Sequence, residues 1–224
     1  MTDIICTVDI ALLTLKDASL HVVLLKREND PFRGVLALPG GYVHAEEDAD
    51  TRDAAVRTLR TKTGIVSPYL EQLATFSGPG RDPRGWSISI GYFALVPEAV
   101  INQAGHPQVE LLAVGRLKGL PFDHQQIVEA AVSRVRNKSS YSSLPVYLCG
   151  DAFTLPRLQS VYETVLGEPI NKVSFRRKID ELAILEPIAG ALETGRSNRP
   201  AQLYRLKRQY RDQLSLTDRA LNAR

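Results

Sequence analysis

The segment from Ile4 to Leu15 constrains the fold of this chain more than any other stretch of the sequence. Its residues, Ile-Ile-Cys-Thr-Val-Asp-Ile-Ala-Leu-Leu-Thr-Leu, are nearly all apolar, and several are β-branched. A run of this kind is typical of a long strand that is buried in a sheet. A polar turn at residues 16–18 and a second apolar run, His21–Lys26, predict another strand directly after it. The chain therefore begins with two strands of a β-sheet.

Helical and strand-like patterns alternate through the rest of the first part of the chain. Alanine and leucine recur at helical spacing up to Thr63, and Gly64 is typical of the residue that ends a helix. Asp123 is a candidate N-cap for a later helix. The predicted elements are strands at Val35–Leu38, Leu70–Phe76 and Trp86–Leu95, and helices at Asp48–Thr63 and His124–Arg136. This pattern predicts a mixed α/β domain over residues 1–145.

The pattern changes after the polar stretch Asn137–Ser143, which we interpret as a linker or an exposed turn. Short amphipathic helices follow, with Thr154 and Asn171 as candidate N-caps. The predicted elements are helices at Leu155–Leu166 and Lys172–Leu182, strands at Ala191–Thr194 and Gln202–Leu206, and a basic hairpin tip at residues 195–200. Helix, turn, helix and basic hairpin together describe a winged helix-turn-helix, so we expect a second domain over residues 146–224.

The composition is that of an ordinary globular protein. The chain of 224 residues has 28 Lys and Arg against 25 Asp and Glu, a net charge of +3, and 44% of its residues are hydrophobic. This composition excludes collagen-like and disordered classes. No apolar run reaches the roughly 18 residues that span a bilayer, and the first residues lack a signal peptide, so we expect a cytoplasmic protein. Residues 146–224 carry an excess of 4 positive charges. Such an excess permits contact with an anionic partner, although a solvated face has the same composition.

Residues 40–65 resemble the Nudix box, a family motif of the form G-x5-E-x7-R-E-U-x-E-E-x-G-U, in which U is aliphatic. The matching residues at its C-terminal end are Arg57, Leu59, Gly64 and Ile65. The loop between Gly41 and Arg57 is two residues longer than in the family pattern. Nudix enzymes cleave a nucleoside diphosphate linked to another group, and they use divalent ions held by the glutamates of the box.

The three metal-binding glutamate positions of the box are Thr58, Thr61 and Lys62 in this chain. Positions i, i+3 and i+4 share one face of a helix. Because Mg²⁺ needs several carboxylate oxygens, two threonines and a lysine cannot supply its site. We therefore expect no metal, no cofactor and no catalytic residue, with Lys62 either close to a pyrophosphate or facing solvent. The acidic residues within 46–53 form either a displaced metal site or, as we prefer, the acidic first turn of a helix.

A short turn, Arg81-Asp82-Pro83-Arg84-Gly85, carries two guanidinium groups suited to bidentate contact with phosphate. A solvated basic turn would have the same composition, but the turn resembles Nudix proteins that handle ADP-ribose. Phe32 is a candidate for stacking on a nucleobase or for packing in the core. The predicted ligand-binding residues are Phe32, Gly40, Gly41, Arg57, Lys62, Arg81 and Arg84.

The helix predicted at Lys172–Leu182 combines a core stripe with basic residues. Phe175, Ile179 and Leu182 are spaced to face the core, so most of the polar residues between them must face outward. Arginine reads guanine in the major groove, whereas lysine and serine mainly meet phosphates; we expect base contact from Arg176 or Arg177. The predicted DNA-contacting residues are Lys172, Ser174, Arg176, Arg177 and Lys178 on the helix, and Arg196 and Arg199 at the hairpin tip. The other interpretation is a solvated basic helix.

The two parts in this order resemble the NrtR family of Nudix-related transcriptional regulators, on the box together with Phe153–Gly167 and Val173–Lys178. The resemblance implies an α/β Nudix sandwich with a mixed sheet between helices, followed by a C-terminal winged helix-turn-helix domain. It also implies a homodimeric repressor of NAD-metabolism genes that binds a double-stranded DNA operator and senses ADP-ribose or a related nucleotide. Two other functions stay open: an active ADP-ribose pyrophosphatase with an accessory domain, and a module whose winged helix binds a partner protein.

Overall fold

The computed structural model describes residues 4–193, 200–211 and 214–216. Its contacts divide the chain into two units, Met1–Ser133 and Arg134–Arg224, each with its own apolar cluster. The division falls inside a helix, whereas the sequence analysis placed the domain boundary between residues 145 and 146. None of the helices in the described ranges is long and apolar enough to cross a membrane.

A mixed sheet organises the first unit. Its strands are β1 (Ile5–Lys16), β2 (Ser19–Lys26), β3 (Leu36–Ala37), β4 (Gly40–Tyr42), β5 (Tyr69–Gly78), β6 (Ser87–Leu95) and β7 (Val109–Ala113). The main order is β3-β2-β1-β6-β5, with β4 beside β1 and β7 beside β2. Strand β1 pairs antiparallel with β2 and parallel with β6, and its residues from Val8 to Leu15 are buried. The predicted long buried strand and the mixed α/β fold are therefore confirmed.

Three helices accompany this sheet: α1 (Thr51–Thr63), α2 (Glu98–Ala104) and α3 (His124–Ser139), the last of which crosses the division between the units. Helix α1 begins at its N-cap Asp50, whose side chain accepts a hydrogen bond from the backbone N–H of Asp53. It ends at Gly64, whose φ of 71° lies in the left-handed region that favours glycine. The buried face of α1 packs on the apolar residues of β1. The short elements α2 and β7 were not predicted, because neither is long enough to show a periodic pattern.

The second unit contains two helices and a small antiparallel sheet. Its elements after α3 are a 3₁₀ helix (Leu144–Leu148), β8 (Phe153–Thr154), α4 (Leu155–Leu166), α5 (Lys172–Leu182), β9 (Leu185–Glu193), β10 (Ala201–Leu206) and a second 3₁₀ helix (Arg208–Tyr210). Thr154 and Asn171 cap α4 and α5 through their side-chain oxygens, as the sequence predicts. The strands lie in the order β8-β10-β9. This arrangement confirms the winged helix-turn-helix.

The linker or exposed turn predicted at Asn137–Ser143 is an exposed turn only around Tyr141, and the rest of the prediction was wrong. Its first residues complete α3, and three of its serines are buried. The hydroxyl of Ser139 donates to the carbonyl of Val135 at 2.6 Å, and the hydroxyl of Ser142 donates to the carbonyl of Lys138 at 2.6 Å. Because a serine that bonds the preceding turn satisfies its own hydroxyl, a serine-rich segment can be buried without looking apolar.

Leu158 of α4 is fully buried in the core of the second unit and provides a test of that core. Leu158→Ala is expected to lower the free energy of unfolding by about 2–5 kcal/mol, because it removes buried methyl groups and leaves a cavity. The matched variant Leu192→Ala, at a side chain 55% exposed on β9, should change it by less than about 0.5 kcal/mol. Urea unfolding of the full chain, followed by circular dichroism, measures both. Equal losses for the two variants would contradict the assigned core.

Candidate functional site

A cavity of about 530 Å³ opens in the first unit. Its wall combines the first half of β1, the end of β2, strand β4, the last turn of α1, the 81–84 turn and the start of α3. The predicted ligand-binding residues that line it are Gly40, Gly41, Lys62, Arg81 and Arg84. The other two, Phe32 and Arg57, do not belong to its lining. The cavity therefore brings together five of the seven residues chosen from sequence.

Gly40 and Gly41 are glycines because two side chains pass close to their backbone. A Cβ at Gly40 would lie 2.1 Å from the Oδ1 atom of Asp9, and a Cβ at Gly41 would lie 2.8 Å from the Oγ1 atom of Thr58. Both distances are below the 3.0 Å that a carbon and an oxygen atom tolerate, that at Gly40 by far the more. The glycine pair of the box thus lets strand β4 approach β1 and α1 at the edge of the cavity.

A buried carboxylate, that of Asp9 in the middle of β1, holds three cavity elements together. It accepts hydrogen bonds from the hydroxyl of Ser89 at 2.6 Å and from the Arg81 guanidinium at 3.3 Å. On its other side lies the Nε2 atom of His124, at 3.4 Å. The backbone N–H of Leu38 donates to Nδ1 of His124, which leaves Nε2 as the ring atom that faces Asp9. Asp9 was missed from sequence, although a lone carboxylate within an apolar run was a visible sign.

The ionisation of Asp9 follows from these contacts. Burial by itself raises the pKa of a carboxyl group, but here the interactions with His124, Ser89 and Arg81 outweigh burial and hold the pKa of Asp9 at about 2. Asp9 is therefore a fixed negative charge in the cavity wall at neutral pH. An anionic ligand must be drawn to cations elsewhere in the cavity.

Arg81 lines the cavity but is already neutralised by two carboxylates. Its side chain is only 6% exposed, and besides Asp9 it donates to both oxygens of Asp123, at 2.8 and 2.9 Å. A phosphate group that reached Arg81 would have to compete with both carboxylates. The carboxylates of Asp9 and Asp123 thus compete with the direct phosphate contact predicted for Arg81, and no pattern in the sequence indicated them.

Arg84 and Lys62 are the more accessible of the predicted cations. Arg84 makes a two-point contact with the buried carboxylate of Asp82, at 2.6 and 3.0 Å, and its guanidinium also bonds the hydroxyl of Tyr42. Lys62 is exposed at the cavity edge. Although part of its side chain is exposed, its ammonium group is partly shielded from solvent by the cavity wall. This loss of solvation, together with the nearby positive charge of Arg27, lowers the pKa of Lys62. A bound phosphate would place a negative charge next to the Lys62 ammonium group and so stabilise its charged form.

Phe122, and not the predicted Phe32, is the phenylalanine that lines the cavity. Phe122 lines the cavity, and Phe32 packs edge-on against it from outside, with the ring centroids 4.9 Å apart. The guanidinium of Arg27 lies 4.9 Å from the centroid of Phe122. Phe122 has a φ of 56°, a left-handed conformation that is costly for a bulky residue. No local sequence pattern marks such a residue.

Arg57 supports the long loop of the box. Its guanidinium donates to both carboxylate oxygens of Asp48, at 2.7 and 2.6 Å, and to the carbonyl of Tyr42 at 2.9 Å. The bond from Arg57 lowers the pKa of Asp48 to about 2. The ligand-binding role predicted for Arg57 is therefore corrected to a loop-holding role, since its donors point at the loop. Asp48 and the N-cap Asp50 also account for two of the acids near the start of α1.

The three positions that hold metal-binding glutamates in the Nudix box, Thr58, Thr61 and Lys62, lie in different surroundings. Thr58 is buried beside Gly41, whereas Thr61 and Lys62 line the cavity. Thr61 donates its hydroxyl to the carbonyl of Arg57 at 2.8 Å. Within the described ranges, no cluster of three or more His, Cys, Asp or Glu side chains is placed to hold a metal ion.

Helix α5 of the second unit presents a basic outer face. Lys172, Arg176 and Arg177 are exposed, and Ser174 is half-buried. Lys178 is only 8% exposed and lies on the buried face with Phe175 and Ile179, so the phosphate contact predicted for it is corrected. The reason is helical spacing: Lys178 follows Phe175 by three positions. The remaining two predicted residues, Arg196 and Arg199, lie outside the described residues.

Comparisons with known proteins match both units. The NUDIX domain family matches residues 7–131, and the NrtR DNA-binding winged helix domain family matches residues 145–206. The ADPR responsive transcriptional repressor NtrR of Acinetobacter baylyi is 39% identical over 203 residues, which are 89% of this chain and 80% of that protein.

Two solved structures are similar as well. The Shewanella oneidensis NrtR complexed with a 27mer DNA has a TM-score of 0.88 and 37% identity, and the match covers 96% of this chain and 98% of that one. The NUDIX domain of Shewanella oneidensis NrtR complexed with ADP ribose has a TM-score of 0.55 and 36% identity, and the match covers 60% of this chain and 90% of that domain. The similarity therefore extends over both units of the chain.

The buried carboxylate of Asp9 predicts a dependence of stability on pH. An unfolded aspartate titrates near about pH 3.9, so a folded pKa of about 2 means that the ionised group stabilises the fold above about pH 4. This contribution, of order 2 kcal/mol, is lost as the pH falls from about 4 to about 2. Asp9→Asn should therefore be less stable than the wild type at pH 7, by a margin that shrinks over this range. Urea unfolding at several pH values measures the margin, and a margin independent of pH would contradict the assignment.

Proposed function

This chain belongs to the NrtR family of Nudix-related transcriptional regulators, and we propose that it is a repressor that binds a DNA operator and senses ADP-ribose. The Acinetobacter relative is named as an ADPR responsive repressor, and the Shewanella relative binds DNA in one crystal and ADP-ribose in another. ADP-ribose is the part of NAD that remains when nicotinamide is removed. Genes of NAD metabolism are therefore the proposed targets.

The observation that carries this proposal is the basic outer face of α5 in a winged helix. Lys172, Arg176 and Arg177 point away from a core that Phe175 and Ile179 fill on the other side. A helix with this division fits the major groove, where arginine contacts base edges and lysine contacts phosphates. Arg177 also lies 3.7 Å from Glu181, an exposed ion pair that is weak enough for DNA to displace.

The cavity of the first unit is the proposed effector site. Lys62 and Arg84 supply cations at its edge, and Gly40 and Gly41 offer backbone without a side chain in the way. Phe122 provides an aromatic wall next to Arg27. A dinucleotide fragment has two phosphates, two riboses and a base, and this lining offers charged, polar and aromatic contacts for them.

The box positions of this site lack the glutamates that hold the metal ions of Nudix enzymes. Thr58, Thr61 and Lys62 cannot hold the divalent ions that stabilise charge on a reacting pyrophosphate. We therefore infer binding without cleavage, and no cofactor. The competing function, an active ADP-ribose pyrophosphatase, requires an unrelated metal site.

Regulation requires that the effector distinguish two states of the protein. A ligand that binds the DNA-free and DNA-bound states equally shifts nothing, so ADP-ribose must favour one of them. We propose that it favours the DNA-free state and releases the operator. We also propose a homodimer, because a helix-turn-helix dimer matches a two-fold symmetric operator.

Arg177→Ala is expected to weaken operator binding by about 1–3 kcal/mol, because one base-reading guanidinium is lost. Arg52→Ala, an exposed arginine on α1, serves as the matched control and should bind like the wild type. A gel shift on the protein's own upstream DNA, with and without ADP-ribose, measures both.

If a dimer makes about 6–10 phosphate contacts, affinity should fall roughly 10³–10⁵-fold between about 50 and 200 mM salt. Salt-insensitive binding, or full binding by an Arg176→Ala/Arg177→Ala protein, would show that α5 is not the reader.

Lys62→Met is expected to weaken ADP-ribose binding about tenfold or more, because a charge-assisted contact of roughly 1.5–3 kcal/mol is removed while the side-chain stem stays. Lys118→Met, at an exposed lysine away from the cavity lining, should bind with wild-type affinity. Isothermal titration calorimetry measures both affinities. Equal affinity for Lys62→Met and the wild type would remove Lys62 from the site.

The calorimetry samples also decide between sensing and hydrolysis. Incubation with Mg²⁺ or Mn²⁺ is expected to release no AMP at enzymatic rates, which are typically about 1 per second or faster. Turnover in that range would favour the pyrophosphatase over the sensor.

A further inference from the structure

Helix α5 exposes one apolar side chain at the centre of its basic face. Val173 lies in the first turn and is 76% exposed, more than any other large apolar residue of the described ranges. The carboxamide oxygen of Asn171 accepts hydrogen bonds from the backbone N–H groups of Val173 and Ser174, each at 3.0 Å. The position of Val173 is therefore fixed by the cap of the helix.

The direction of Val173 follows from helical geometry. Phe175 is two positions away, or about 200° around the axis, so Val173 points almost directly away from the core. Arg177 follows Val173 by four positions, which places it one turn along the same outermost line. Lys172 and Ser174, the neighbours of Val173, lie to either side of that line. The outer face of α5 thus has a short apolar group and an arginine in the middle, with phosphate-seeking groups at its flanks.

This arrangement matches the floor and walls of a DNA major groove. The walls are phosphates, which suit Lys172 and Ser174, and the floor presents base edges to the central line. The apolar group on that floor is the C5-methyl of thymine, which aliphatic side chains contact. Residues of the first turn of a recognition helix are the ones that reach base edges.

The geometry points to Val173 as a specificity-determining residue that packs on a thymine methyl of the operator, next to the base read by Arg177. This inference rests on the proposed function of α5 as the DNA reader. The positive charges around Val173 favour a polyanionic occupant over an apolar protein surface, which would have to bury those charges unpaired. One operator position per half-site should therefore require thymine for its methyl group.

Deoxyuridine provides the test, because it differs from thymidine only by the missing C5-methyl. The probe is a duplex that the full-length chain retains from a randomised pool, and each thymine is replaced in turn. At one position, deoxyuridine should weaken wild-type binding about fourfold, the cost of one unburied methyl group. Val173→Ala changes both subunits of the proposed dimer, so it should weaken binding of the thymine duplex about 16-fold, fourfold for each half-site, and it should not distinguish thymine from deoxyuridine at that position.

Two controls accompany this double comparison. Val66→Ala changes a valine of similar exposure, 65%, in the first unit and should keep the full preference for thymine. Val173→Ala should fold normally, since it places a better helix former at an exposed position, and circular dichroism checks this.

Three results would overturn the inference. If Val173→Ala keeps the wild-type sensitivity to deoxyuridine at every thymine, Val173 does not read the methyl group, although α5 still binds DNA. If no duplex is retained from the pool, the DNA-binding proposal fails and this one fails with it. If Val173→Ala changes the mass measured by light scattering and leaves the thymine preference intact, the exposed valine belongs to a protein interface.

Discussion

The carboxylate of Asp9 is the contact on which the cavity of the first unit depends. It lies on the central strand β1 and is shared by Ser89 of β6, Arg81 of the turn before β6 and His124 at the start of α3. A buried charge is costly unless it is paired and hydrogen-bonded, and removing one partner of such a group typically costs about 3–5 kcal/mol. The cluster therefore fixes the positions of three separate chain segments. It also leaves no room for a side chain at Gly40, so one of the two box glycines is explained by packing against Asp9.

Elements with a local pattern were predictable from the sequence, and contacts between distant residues were not. The caps Thr154 and Asn171 and the apolar stripes of α1, α4 and α5 depend on residues within about one turn, so these helices were found close to their observed bounds, although α1 begins at Thr51 rather than at Asp48. The bond between Arg81 and Asp9 joins residues 72 positions apart. Two exposed-looking arginines in a turn gave no sign that one of them would be buried between two carboxylates. Burial of this kind depends on tertiary packing, which spacing along the chain does not contain.

The altered box replaces a metal site with a weaker and differently shaped electrostatic field. Carboxylates at 58, 61 and 62 would gather divalent ions, and these would in turn bind a pyrophosphate. In the function we propose, Lys62 instead offers a single positive charge to the ligand, on a flexible stem and without Lewis-acid chemistry. Thr58 is turned into the interior, with its hydroxyl against the backbone of Gly41, so this position no longer faces a ligand at all. The helix face that carries these three positions is therefore divided between core packing at Thr58 and the cavity lining at Thr61 and Lys62.

On α5 the usual relation between residue type and burial is reversed at two positions: Lys178 is buried and Val173 is exposed. A lysine tolerates such a place because its methylene stem covers apolar surface, while an exposed valine gives up only a modest burial energy. The consequence is a change in the charge pattern of the outer face. If all four cations of the helix faced outward, the face would be a broad positive patch, suited to any polyanion. With Lys178 withdrawn and Val173 on the outermost line of the helix, Lys172 and Ser174 lie to either side of a line that carries an aliphatic contact and the guanidinium of Arg177. A surface of that kind holds the phosphates at its edges and discriminates among bases at its centre, which is the requirement for choosing one operator among many similar sequences.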